Sequence, residues 1–154
     1  TGIVQEGVKL LVAVAALWRL GAQGQKRAGL AVGAAAGAGY GGMEAFWTFN
    51  LILAMGWSWA TVQLLGPPAF LGFVERLYVV PFHVGAAALA AYGYATGRPG
   101  RFLLLAIALH SALNYGALLS GAGVIGVAAF EAWGALVAAV AVGLALWLRR
   151  RAAP

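Results

Sequence analysis

The sequence predicts an all-α protein, a polytopic transmembrane helix bundle that forms a single integral membrane domain over residues 1–154. Hydrophobic residues make up 63% of the chain, the mean hydropathy is +0.88, and 9% of the residues are charged. A soluble domain of this length could not bury so much apolar surface. The chain has no Asp, and its four glutamates lie inside apolar segments, where they would not help to solubilise a surface.

Five apolar segments, each near or above the roughly 20 residues that cross a bilayer, predict five transmembrane helices. They cover residues 3–20, 28–55, 71–96, 102–120 and 122–148. The link at 57–68 contains two tryptophans and a Pro-Pro pair, which is typical of the membrane interface. The chain begins at Thr1 without a Met or a signal peptide, as expected for a processed or truncated piece of a longer protein with further helices upstream.

The basic residues predict the orientation in the membrane. They flank the loops 21–27 and 97–101 and end the chain, whereas the links at 57–68 and 120–122 have none. By the positive-inside rule, both basic loops and the C-terminus are cytoplasmic in a multi-pass protein of the cell membrane. Because the basic residues follow segment ends rather than a polar face, the expected partner is the bilayer and not a nucleic acid. Cysteine is absent, which excludes disulfides, a Cys nucleophile and thiolate metal ligands.

A glycine stripe marks the second segment. Gly29, Gly33, Gly37 and Gly41 recur every four residues, so they share one helix face on which a neighbouring backbone can approach closely. Glu44 follows one turn later. An ionisable group at membrane depth is by default a candidate for function.

Polar side chains of several segments fall at a similar depth. At about 1.5 Å per residue from the cytoplasmic end of each segment, Glu6, Glu44, His83 and Asn114 lie roughly 18–24 Å deep in a hydrocarbon core of roughly 30 Å. His110 lies one helical turn nearer the cytoplasm. The members of this layer are Glu6, Glu44, His83, His110 and Asn114. We therefore expect one buried polar cavity that joins the first four helices.

Some of the polar residues also have simple structural interpretations. Glu6 and Lys9 are spaced for an intrahelical ion pair. Glu75 and Arg76 are adjacent, so they are not expected to face each other on one helix, and each is expected to find another partner or to lie near the outer interface. Tyr40, Trp47 and Tyr78 are expected to be packing and interface residues, and Glu131, near the far interface, is expected to have a structural or rim role.

The residue types favour hydrolysis by glutamate and histidine. Without Asp there is no aspartyl site, no His-Glu-x-x-His zinc motif exists, and Ser120 lacks the Gly-x-Ser-Gly setting of a rhomboid-like nucleophile. A buried carboxylate can accept a proton from water with the help of an imidazole. A second histidine and an amide can donate hydrogen bonds to the oxyanion of a tetrahedral intermediate.

Four motifs in order resemble the PrsW and CAAX-protease-like (CPBP) group of glutamic intramembrane proteases. They are TGIVQEGVKLL, GAGYGGMEAFW, RLYVVPFHVGAAALAAYGYATG and HSALN, and together they span residues 1 to about 118. Their order and spacing most resemble the YhfC branch, often described as intramembrane metalloproteases. The resemblance implies cleavage of membrane-embedded or membrane-adjacent protein or peptide substrates. It also implies Glu6 and Glu44 as acid/base residues, His83 as their partner, and His110 and Asn114 as oxyanion or water-orienting donors.

One position departs from that pattern, and two alternatives stay open. The leading glutamate of the first motif is Gln5 here, and a Gln cannot act as a base, so the chain is inactive if that position supplies the base. The resemblance also implies that Lys9 modulates the first motif. A second interpretation adds a divalent metal such as zinc, held by His83, His110 and Glu44. A third is a non-enzymatic transporter, proton-coupled carrier or binding homologue that uses the same polar layer, although no inverted repeat is visible.

Overall fold

A computed structural model of the chain describes residues 2–152, and every regular element within that range is a helix. The predicted all-α class is therefore confirmed. The helices are α1 (Gly2–Arg19), α2 (Lys26–Ala54), α3 (Trp59–Leu65), α4 (Leu71–Val74), α5 (Arg76–Ala95), α6 (Pro99–Gly121) and α7 (Val127–Arg151), with a 3₁₀ turn at Pro67–Phe70.

Three helical segments among the described residues are long and apolar enough to cross a membrane. They are Pro67–Ala95, Pro99–Gly121 and Val127–Arg151. By their length and composition, these three candidate spans indicate a membrane protein. Of the two N-terminal helices, α1 contains the charged residues Glu6, Lys9 and Arg19, and α2 is rich in glycine and contains Glu44.

The helix boundaries differ from the prediction at two places. The segment predicted as one helix over 71–96 is interrupted at Glu75, and the link before it contains the short helix α3, whose first turn is closed by Ser58 and Thr61. The last helix begins at Val127 rather than at 122. Gly123 has a φ of +70°, which ends helical geometry and makes a turn before α7.

Helix α5 is the centre of the bundle. It packs against α1, α2, α6 and α7, and its residues 85–91 are all buried. These residues are Gly, Ala and one Leu, so neighbouring backbones come close on several sides. At Gly85, for example, an added Cβ would lie 2.7 Å from the backbone of Ala141 on α7.

The glycine stripe of α2 forms its contact with α5, as predicted. A Cβ on Gly29 would lie 2.8 Å from the Cβ of Ala95, and one on Gly33 would lie 2.7 Å from the Cβ of Ala91. Farther along, Gly37 lies directly against the backbone of His83. This close packing brings Glu44, the first acidic residue beyond the stripe, to the side of His83.

Candidate active site

Ionisable side chains of four helices meet at one place in the bundle. Helix α1 contributes two of them, and α2, α5 and α6 supply the others. The described residues in this cluster are Glu6, Lys9, Glu44, Arg76, His83 and His110. Five polar residues were predicted from the sequence to share one layer, and four of those five are in this cluster.

Glu6 joins α1 to α6 at the buried end of the cluster. Its Oε1 accepts a hydrogen bond from Lys9 Nζ at 2.6 Å and lies 2.6 Å from His110 Nδ1. The predicted intrahelical pair of Glu6 and Lys9 is confirmed, and both side chains are buried. The pair is not confined to its own helix, however, because the same carboxylate oxygen also contacts His110 on α6.

Lys9 joins α1 to α5. Its Nζ lies 2.9 Å from His83 Nδ1 and 5.3 Å from the centre of the Tyr40 ring. An ammonium group has three donors, and here Glu6, His83 and the face of Tyr40 lie around it. Tyr40, expected to be a packing residue, is therefore part of the polar cluster. It precedes Glu44 by four residues, a spacing that places both side chains on one face of α2.

The partners of the two histidines assign their tautomers. Because the ammonium of Lys9 donates to Nδ1 of His83, the ring proton of His83 belongs on Nε2. That Nε2 is buried and lies 3.3 Å from Glu44 Oε2, without a partner that meets hydrogen-bond geometry. His110 donates from Nδ1 to the carboxylate of Glu6, so in its neutral form Nε2 carries the lone pair.

Arg76 holds the exposed end of the cluster. Its Nη1 donates to Glu44 Oε1 at 3.0 Å and its Nη2 to Glu75 Oε2 at 3.1 Å. The expectation that Glu75 and Arg76 do not face each other was wrong. Glu75 has helical backbone angles, but the long side chain of Arg76 bends so that its guanidinium fork reaches the carboxylates of both Glu75 and Glu44.

A cavity of about 240 Å³ opens beside this cluster. Four of the predicted site residues line it, namely Glu44, His83, His110 and Asn114. The fifth, Glu6, lies behind the wall with none of its surface exposed. In its place, Gln5 reaches the cavity from α1, and its buried Oε1 has no hydrogen-bond partner among the residues that the structure describes.

The cavity wall also contains residues that the sequence did not assign to a site. Tyr78 was expected to be a packing residue but lies in the wall, as do Arg76 and Glu75. Two of these could have been predicted from the sequence. Glu75 and Arg76 precede His83 by about two helical turns on the same segment, which places them near its face of the helix. Trp47 lies outside the site and is largely exposed, in keeping with an interface residue.

The resemblance to the YhfC branch raises the question of a metal ion. Glu6, His83 and His110 each offer a donor atom within 4.8 Å of the others, and these residue types are zinc ligands. The carboxylate in this set is Glu6, whereas the sequence interpretation used Glu44. Lys9 Nζ is bonded to both Glu6 and His83, so an ammonium already holds two of the three ligands. As arranged, these residues do not fit a metal ion.

Comparison with family models, with curated proteins and with solved structures finds no match to this chain. The resemblance to the PrsW and CPBP group therefore depends on the four motifs alone and remains a prediction.

Proposed function

We propose that the chain is an intramembrane protease that hydrolyses peptide bonds of membrane-embedded or membrane-adjacent substrates. The observation that supports this most directly is the lining of the cavity by Glu44, His83, His110 and Asn114, with His83 Nε2 only 3.3 Å from Glu44 Oε2. A carboxylate, an imidazole and an amide around one polar space are the groups that activate water and stabilise an oxyanion.

In the proposed mechanism, Glu44 is the general base. Its side chain lines the cavity and is 30% exposed, so water that fills the cavity contacts the carboxylate. Glu44 takes a proton from that water as the water oxygen bonds to the carbonyl carbon of the peptide. Asn114 and the Nε2–H of His83 donate hydrogen bonds to the resulting oxyanion. The protonated Glu44 then returns the proton to the amide nitrogen as the C–N bond breaks, leaving a carboxylic acid and an amine.

Glu6 has a different role in this proposal from the one that the family resemblance implies. It is fully buried behind the cavity and holds Lys9 and His110, so we assign it to positioning rather than to proton transfer with substrate. The carboxylate of Glu6 orients the ring of His110 in the way that a buried acid orients a catalytic histidine. The lone pair of His110 Nε2 is then a second proton acceptor beside the cavity.

The proposal includes all five crossings predicted from the sequence. Helix α1 supports this, because its apolar residues Ile3, Val4 and Leu11 are about 70% exposed while Glu6 and Lys9 are buried. Such an inside-out distribution suits a lipid environment and is unfavourable in water. Helix α2 has 29 residues, a length of about 43 Å at 1.5 Å per residue, which is sufficient for a tilted crossing.

Membrane orientation can be tested by labelling, because the chain contains no native Cys. Single cysteines at Gln23 and Gly100 lie in the proposed cytoplasmic loops, and cysteines at Gln63 and Val124 lie in the opposite links. We expect a membrane-impermeant maleimide added outside intact cells to label the second pair only. Labelling of one member of each pair from the same side would contradict the five-crossing arrangement.

The protease proposal is tested by cleavage of a transmembrane peptide with a fluorophore and quencher, in proteoliposomes containing the purified chain. We expect Glu44→Gln to lower the rate by about 10²–10⁴-fold, the usual contribution of a general base. Glu131→Gln is the matched control, since this glutamate is intramembrane in the same proposal but does not line the cavity. Equal rates in both variants would overturn the role of Glu44.

A proton-coupled carrier is a second candidate, favoured by one observation. Arg76, Glu44, His83, Lys9, Glu6 and His110 form an unbroken series in which each contact is between 2.6 and 3.3 Å. Such a series is typical of proton relays in transporters. Proton flux into liposomes under a pH gradient, abolished by His83→Ala and accompanied by no peptide cleavage, would favour this function over proteolysis.

A further inference from the structure

The ammonium of Lys9 lies among side chains that would otherwise make a metal site. Glu6, His83 and His110 place their donor atoms within 4.8 Å of one another, and all three residues are buried. One carboxylate with two imidazoles is a common ligand set for catalytic zinc, with a further position for water. The geometry of the ligands therefore does not by itself exclude a divalent ion.

Lys9 Nζ contacts two of the three ligands, as a bound cation would. It lies 2.6 Å from Glu6 Oε1 and 2.9 Å from His83 Nδ1, and the Tyr40 ring lies on a further side at 5.3 Å. These are the directions in which an ammonium can donate. Among residues 2–152, Glu6 is its only anionic contact, and Lys9 is 1% exposed.

We infer that Lys9 serves as a tethered cation that takes the place of a divalent metal ion at the Glu6–His83–His110 cluster and prevents metal ions from binding there. Like a bound cation, the ammonium binds the Glu6 carboxylate and the Nδ1 lone pair of His83. It also keeps the proton of His83 on Nε2, the atom that lies 3.3 Å from Glu44. The inference does not depend on proteolysis, because it concerns the occupancy of the cluster whatever reaction the cavity supports.

Electrostatics and ligand chemistry both oppose a metal ion beside Lys9. A metal ion needs deprotonated ligands, and Glu6 Oε1 is already shared by Lys9 and His110. A divalent ion would also lie close to a buried positive charge, where repulsion is weakly screened. Removal of the lysine charge removes the repulsion and one of the two donors to Glu6 Oε1, and it leaves the three ligands in place.

The test compares zinc binding by the purified chain and by Lys9→Met, which removes the charge but keeps an unbranched side chain of similar length. Each protein is incubated with zinc, dialysed, and assayed for bound zinc by elemental analysis. We expect the unchanged chain and Lys9→Arg to retain almost no zinc. Lys9→Met should retain about one ion per chain, and the added substitution His83→Ala should abolish that binding. Lys9→Met with Glu131→Gln is the control that should keep it.

Two results would overturn the inference. One is stoichiometric zinc in the unchanged chain that His83→Ala removes, because the lysine would then not close the cluster. The other is a folded Lys9→Met chain that binds no zinc. If Lys9→Met does not fold, the unchanged chain and Lys9→Arg still decide the matter by their zinc content. Loss of peptide cleavage would not affect these results, so failure of the protease proposal can be recognised separately.

Discussion

His83 Nδ1 lies 2.9 Å from Lys9 Nζ, and this contact connects a buried ion pair on α1 to the cavity side of α5. On one side of the contact, Lys9 is held by Glu6. On the other side, the second ring nitrogen of His83 faces Glu44. A change at Glu6 or Lys9 should therefore alter the cavity without touching a substrate.

The buried ion pair makes Glu6 important for stability. We expect Glu6→Gln to lower the free energy of unfolding by about 3–5 kcal/mol, because it leaves the ammonium of Lys9 buried without a countercharge. The measurement is a denaturant titration in mixed micelles. The double variant Glu6→Gln with Lys9→Met should recover much of the loss, since neither charge then remains. A Glu6→Gln loss no larger than that of the control Glu131→Gln would contradict this explanation.

The glycine stripe offers a matched pair of substitutions on one helix. A Cβ on Gly37 would lie 2.7 Å from the carbonyl carbon of His83, whereas a Cβ on Gly39 would meet nothing within 4 Å. We expect Gly37→Ala to destabilise the protein by about 1–3 kcal/mol, since backbone must move. It should also lower cleavage, because His83 moves with its backbone. Gly39→Ala should leave stability and cleavage nearly unchanged. Similar effects of the two substitutions would contradict the close contact of α2 with α5.

The guanidinium of Arg76 donates one hydrogen bond to Glu44 and another to Glu75. We expect Arg76→Lys to keep the positive charge but to lose one of the two bonds, since an ammonium lacks the planar fork. Peptide cleavage should fall by about tenfold, the equivalent of about 1.4 kcal/mol in the activation free energy. Because lysine keeps the positive charge beside both glutamates, the unfolding free energy should change little. Cleavage that is unchanged even in Arg76→Met would show that the position of Glu44 does not depend on this contact.

Gln5 occupies the cavity position that the resemblance assigns to a glutamate. Its Oε1 is buried, has no hydrogen-bond partner within residues 2–152, and lies in the same wall as Glu44. We expect Gln5→Glu to raise the rate of peptide cleavage by about tenfold or more, because a second carboxylate in the cavity can also accept the proton from water. Gln5→Asn, which keeps an amide, is the control and should not raise the rate. A lower rate in Gln5→Glu would indicate that the amide itself is required.

The sequence was informative where residue type and spacing determine the structure. The four-residue period of the glycines predicted a close helix contact, and the depth of the polar residues predicted that Glu44, His83 and His110 would meet. The sequence could not show which of Gln5 and Glu6 faces the cavity. Adjacent helical residues differ by about 100° in direction, and the rotation of α1 is set by its packing against α2, α5 and α6. The role of Tyr40 depends in the same way on tertiary contacts with Lys9.

The measurement that tests the central claim most directly is a double-variant cycle on peptide cleavage in proteoliposomes. The rates of the unchanged chain, Glu44→Gln, His83→Ala and the combined variant are compared with one transmembrane substrate. We expect each single substitution to lower the rate by about 10²–10⁴-fold and the combined variant to be no slower than the slower single variant, because the two residues act as a unit. Full activity in both single variants, or losses that multiply in the combined variant, would contradict a coupled role of Glu44 as the base and His83 as its neighbouring hydrogen-bond donor in peptide hydrolysis.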